Sequence, residues 1–153
     1  MSEYIYIASD SKLPVGSVGD NGLTVFKTTF YLTANSMESF FFEENYDPDE
    51  KKYFSFSKHF SAEKYQVASI VLTLPEQNTK NLKPRNKKAL QELYHYIEKH
   101  FEHTNATYVE ILFCLNSQED EPLKQNQTIN LDELSIYDLF YDDQKFLTIN
   151  KQS

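Results

Sequence analysis

Two short continuous apolar runs, VASIVLTL at 67–74 and YVEILFCL at 108–115, flank the one segment of this chain with clear helical periodicity. Leu90, Leu93, Tyr94, Ile97 and Phe101 recur at i, i+3, i+4, i+7 and i+11, which places them on one narrow stripe of a helix running from about 86 to 103. A run of apolar residues without alternation is the pattern of a strand covered on both faces. A helix with a single apolar stripe must bury that stripe against another element, so helix and runs belong to one core. Strand, helix, strand is the βαβ order, and both runs are expected in one sheet. After Pro75 the polar linker EQNTKNLKPRN is long enough to leave the direction of the second strand open.

The remaining segments add strands. EYIYIAS, at 3–9, alternates cleanly, and LTVFKTTFYLT, at 23–33, is rich in β-branched and aromatic residues. The second of these is expected to pair antiparallel with the first. Over 34–50 two readings compete: Asn35 and Glu38 form a capping box opening a short helix, or NSME is a turn and SFFFE a returning strand. KKYFSFSKHF alternates and reads as a half-buried strand. NSQEDEPLKQNQTIN reads as a polar, acidic loop. LDELSIYDLF suits a short helix with Asp132 and Glu133 at its N-terminal end, and KFLTINKQ closes as a strand; a hairpin through 141–144 is the alternative. The expected fold is a single α+β domain over 1–153. Its mainly antiparallel sheet has five to seven strands, with the long helix and one or two short helices packed on it.

The chain has 153 residues, enough for one well-covered core. Eleven Tyr and twelve Phe with no Trp make aromatic rings the main packing currency, and each tyrosine hydroxyl needs a partner or water. Surface tyrosines of such a set are favoured in binding patches. The single cysteine, Cys114, lies inside an apolar run and is expected as a buried, inert thiol. The first ten residues lack a basic region followed by an apolar one, and no run approaches the roughly 18 residues of a membrane span. A cytoplasmic location fits best. Net charge is −8: −4 over 1–46, −1 over 47–78, +3 over 79–105 and −6 over 106–153. Such a field disfavours nucleic acid and anionic membranes and would steer a basic protein partner.

All three glycines, Gly16, Gly19 and Gly22, fall in one seven-residue window. Their G-x-x-G-x-x-G spacing is neither dinucleotide fingerprint nor P-loop, and Asp20 would repel phosphate. A structural turn is the simpler reading. A basic island follows at Lys80, Lys83, Arg85, Lys87 and Lys88, where cations near a helix N-terminus oppose its dipole. In layout, a strand, a linker with Arg and Lys, a long helix and a strand resemble the cofactor-binding segment of GNAT acetyltransferases, over about a third of the chain. That family's pyrophosphate loop contains glycine, whereas PRNKKAL here has none, so no cofactor is carried over.

On the helix, His95 is expected exposed, and His100 and His103, three apart, could face one metal near Tyr96. No third ligand is specified, His59 included, and no acidic cluster has EF-hand spacing, so no metal site and no catalytic residue is assigned. The function expected is a small acidic interaction module, of an inhibitor or immunity type, that occludes a basic partner. Tyr46, Tyr137, Tyr141, Asp138, Asp142 and Asp143 are the contact candidates. The alternative is a small-ligand or phosphate-binding protein or enzyme built from Gly16, Gly19 and Gly22 with Lys83, Arg85, Lys87 and Lys88. A third is an acidic mimic of nucleic acid, and a homodimer could hide some of the aromatic rings.

Overall fold

A computed structural model describes residues 2–17 and 39–152. Gly19, Gly22, the strand expected over 23–33 and the Asn35–Glu38 capping box lie outside the described residues. The elements are β1 (Glu3–Ser9), β2 (Gly16–Ser17), β3 (Phe41–Glu44), β4 (Tyr46–Asp47), β5 (Lys52–Tyr53), β6 (Tyr65–Ile70), α1 (Pro84–His103), β7 (Tyr108–Leu115), β8 (Gln125–Asn130) and β9 (Lys145–Asn150). Two 3-10 turns, Leu131–Glu133 and Ile136–Leu139, lie between β8 and β9. Among the described residues the sheet has seven strands in the order β2-β3-β6-β1-β7-β9-β8, with β4-β5 a separate small hairpin. The domain is α+β, as the sequence pattern indicates.

The two apolar runs do share the sheet, and they point the same way. They are not neighbours: β1 lies antiparallel between them, with Ile7 opposite both Val67 and Ile111. The layout therefore departs from an adjacent βαβ pair. Strand β6 starts at Tyr65, two residues before the run, and ends at Ile70, four residues before the run does, and Val71 N–H then donates to Glu3 O at 2.8 Å.

Helix α1 begins at Pro84, because proline fits the first helical position, where its missing N–H costs nothing. Asn86 anchors that end: its Oδ1 accepts from Lys83 N–H at 3.3 Å and its Nδ2 donates to Thr73 O at 2.8 Å. At the other end Thr104 Oγ1 donates to His100 O at 2.7 Å. The buried stripe is Ala89, Leu90, Leu93, Tyr96, Ile97 and Phe101. Tyr94 is only flanking; Tyr96 is the aromatic that goes in, packing edge-on to Phe42 at 4.5 Å and donating to Pro14 O at 2.5 Å.

The stripe meets Ile5, Ile7, Val67, Val109, Ile111, Phe113, Leu147 and Ile149, one face of the sheet. The opposite face carries Tyr6, Ala8, Ala68, Leu112, Cys114 and Phe146. The period-two alternation of β1 thus sorts isoleucines to the helix and tyrosines to the far side.

Three segments differ from their sequence reading. KKYFSFSKHF is not a sheet strand: only Lys52–Tyr53 pairs, in the β4-β5 hairpin, and 54–62 crosses the far face as irregular chain. Its backbone is satisfied by side chains instead. Phe56 N–H donates to Gln66 Oε1 at 2.7 Å, Asn45 Nδ2 to Phe54 O at 2.6 Å, and Ser61 and Ala62 N–H both to Glu110 Oε1 at 3.0 Å. The polar 116–130 stretch is not all loop, because 125–130 forms the edge strand β8, parallel to β9. The segment 131–144 serves as the crossover that a parallel pair requires. It does not form one helix, because Ser135 starts a second turn, its Oγ accepting from Tyr137 N–H at 3.2 Å.

Candidate functional site

Among the described residues the helix face is filled, and the far face is only half covered. The segment 54–62 lies over Ala8, Leu112 and Phe146 through Phe60 and Ala62. It is zipped to the β7–β8 connection: Ser57 Oγ donates to Glu119 O at 2.6 Å, Lys58 N–H to Asp120 Oδ1 at 2.7 Å, and His59 Nε2 lies 2.7 Å from Glu121 O. Beside this cover a groove of about 700 Å³ remains. Its floor is the row Glu43–Ala68–Tyr6, set by strand register, and the small Ala68 side chain makes the depression. Tyr4, Phe41, Tyr46, Phe54, Phe56 and Ile70 form its sides, and Asn116, Ser117 and Glu119 one end.

Exposed apolar side chains concentrate here. Of the seven large ones exposed among the described residues, Phe41, Tyr46, Phe54 and Ile70 line the groove, and Tyr53 packs on Tyr46 at 5.1 Å. The rings are mutually braced: Tyr4 stacks on Tyr6 at 5.7 Å, Tyr6 meets Phe56 at 5.3 Å, and Phe56 meets Phe54 edge-on at 5.1 Å.

The polar lining is one-signed. Glu43, Glu44 and Glu119 are its ionisable groups apart from the tyrosines, and the described lining holds no Lys, Arg or His. Tyr6 Oη donates to Glu119 Oε2 at 2.5 Å, and Ser117 N–H donates to the same oxygen at 3.0 Å. Burial first, and then the Glu119 carboxylate, push the Tyr6 phenol far above its usual range, so it stays a donor. Glu43 and Glu44 make no side-chain hydrogen bond or ion pair among the described residues.

The contact candidates fall in different places. Tyr46 is on the groove rim. Tyr137 is exposed, but on the 3-10 turn that packs against α1, across the sheet from the groove. Tyr141 is buried in the helix-side core and donates to Asp143 Oδ1 at 2.7 Å. Asp138 accepts from Ser135 N–H at 2.9 Å, and Asp142 accepts from the Gln125 side-chain amide. The six are not one patch. Gly16 sits in β2 with φ 105°, a conformation that requires glycine, opposite Phe42. A second cavity of about 220 Å³ adjoins it, with Val15, Phe41, Phe42, Glu43 and Glu44 as its other described lining. Lys83, Arg85 and Lys87 are exposed and Lys88 half-buried at the start of α1, and none of them lines that cavity.

Three other polar clusters lie outside the groove, two of them buried. Ser9 Oγ lies 2.8 Å from His100 Nε2 and donates to Tyr108 O at 3.1 Å, both side chains sealed from solvent. Burial lowers the His100 pKa to about 4. No carboxylate orients its Nδ1, which has no partner, so the pair ties β1 to α1 and lacks the parts of a nucleophile and base. His103 is exposed, and among the described residues no group of three metal-ligating side chains occurs. Lys145 is buried beneath the second 3-10 turn, donating to Asp138 O at 2.8 Å and Phe140 O at 2.7 Å. Glu3 meets Glu76 near Asp143, and burial followed by those two neighbours raises its pKa to about 7. Cys114 is fully buried, its thiol pushed up to about 12 by burial.

Protein-family models, curated proteins and solved structures contain no match to this chain. Among the described residues no helix is long and apolar enough to cross a membrane.

The groove residues other than Tyr46 escaped the sequence reading. Their signal was present in the β1 alternation, which puts Tyr4 and Tyr6 on one face and Ile5 and Ile7 on the other. Nothing in the sequence showed that the described residues would leave this tyrosine face partly open.

Proposed function

We propose that the protein is a protein–protein interaction module that docks a basic partner on the aromatic groove and so occludes it. The observation that carries the reading is the coincidence, in one concavity, of exposed rings with the carboxylates of Glu43 and Glu44, which have no partner among the described residues. Scattered exposed apolar residues need no explanation, but a rimmed cluster does. Aromatic residues supply the desolvated centre of an interface, and the acidic surroundings steer the encounter. The acidic charge of −8 works in the same direction at long range.

A photo-crosslinking residue placed at Phe54, on the groove, and in a second sample at Tyr137, across the sheet, tests the assignment. The expected result is a stoichiometric adduct with one basic host protein from position 54 that weakens as salt rises. Capture only from position 137, or no adduct from either, would overturn it.

A further inference from the structure

The groove's chemistry specifies what part of a partner it takes. Resting on the docking reading above, we infer that the groove receives an arginine side chain, its guanidinium plane stacked on the tyrosine and phenylalanine faces and its N–H fork on the Glu43 side of the floor. Four observations converge. The floor is an aromatic ring, Tyr6, beside a methyl side chain, Ala68, which leaves space for a flat group. Glu43 stands in the same cross-strand row as those two residues and has no partner among the described residues. Glu119 closes the end of the groove and is already held by Tyr6 and Ser117 through Oε2, so its charge is in place before a ligand arrives. No cation in the described lining competes for these carboxylates.

Guanidinium suits this arrangement better than ammonium. It is planar, stacks on aromatic faces, is weakly hydrated and donates in a rigid fork that matches a carboxylate. Lysine brings a compact, strongly hydrated charge that neither stacks as a plane on a ring nor forks onto a carboxylate. The volume exceeds that of a single side chain, so the surrounding peptide also lies within it. Each contact is non-covalent and preorganised, and the aromatic braces described above lower the ordering cost on binding.

Titration calorimetry on the full chain, at low salt, with the capped peptides Gly-Arg-Gly-Arg-Gly and Gly-Lys-Gly-Lys-Gly and the citrulline analogue of the first tests this. The arginine peptide should bind at least tenfold more tightly than the lysine peptide, and the neutral citrulline peptide should not bind measurably. Glu43→Gln and Phe54→Ala, both at exposed positions, should each weaken arginine binding several-fold with an unchanged melting temperature. Equal affinity for lysine and arginine, or retained binding by both variants, would overturn the inference. Absence of any peptide binding while position 54 still crosslinks a partner would also overturn it and leave the docking reading standing. Loss of both would remove both.

Discussion

Two titratable residues, the buried His100 and the half-exposed Glu3, pull stability in opposite directions with pH. His100 has a folded pKa near 4, below its ordinary 6.5, so its contribution is complete above about 6.5 and is lost as pH falls through 4. Glu3 has a folded pKa near 7, above its ordinary 4.5, so its contribution is complete below about 4.5 and is lost as pH rises through 7. Between those limits the two slopes offset one another. His100→Gln should therefore leave a melting temperature that declines from pH 4.5 to 7, and Glu3→Gln one that climbs from pH 4 to 6.5. The His100 effect is on the order of 3 kcal/mol at full extent; the Glu3 effect is smaller, because solvent screens a half-exposed carboxyl. Thermal melts across pH 4–8 decide it, and parallel profiles for both variants would refute the assignment. Asn45 is the residue that joins stability to the groove. Buried, it donates to Phe54 O and Lys64 O and accepts from Gln66 N–H, fastening the segment that carries Phe54 and Phe56. Asn45→Leu should cost about 1–3 kcal/mol by stranding those groups. It should also reduce groove binding, read as a lower denaturation midpoint together with weaker peptide titration.

At the scale of elements, α1 stands on its buried stripe rather than on its charges. Leu93→Ala removes a fully buried side chain from the helix–sheet contact and should cost about 2–5 kcal/mol in urea unfolding, with the denaturant slope unchanged. Lys87→Ala, on the exposed N-terminal turn, should change stability by less than about 0.5 kcal/mol or raise it slightly, since a cation there opposes the dipole. A cost near that of Leu93→Ala would mean that the basic island is structural. The helix was legible because five apolar residues recur at the helical period. The 54–62 segment was not, although it alternates as a strand does. Alternation reports only that successive side chains face opposite ways, and here Gln66, Asn45 and Glu110 take the hydrogen bonds that a neighbouring strand would have made. β8 was hidden for the opposite reason: its residues are polar and mostly exposed, and its strand state comes from pairing with β9.

For the whole molecule, asymmetry between the two sheet faces is what matters. Among the described residues one face is sealed by α1 and the 131–144 crossover, and the other is half sealed by a loop, with exposed rings left beside it. Phe41→Ala with Phe54→Ala should remove partner binding while shifting the melting temperature by no more than a degree or two, because both rings are partly in solvent. Unchanged partner affinity, measured by titration, would place the interface elsewhere. Substitution of Tyr137, exposed across the sheet, should leave affinity unaltered.

By itself the sequence determined the α+β class, the long helix, the two apolar runs of the sheet and the acidic charge, because local periodicity and composition carry that information without reference to other segments. Only the tertiary structure decided that β1 separates β6 from β7, that Tyr141 is core while Tyr46 is rim, and that Ala68 sits beside Tyr6 and Glu43 to make a groove. Those outcomes depend on strand order and register, which are set by contacts between residues far apart in the chain, and a linear pattern holds no record of which distant partner a face will meet.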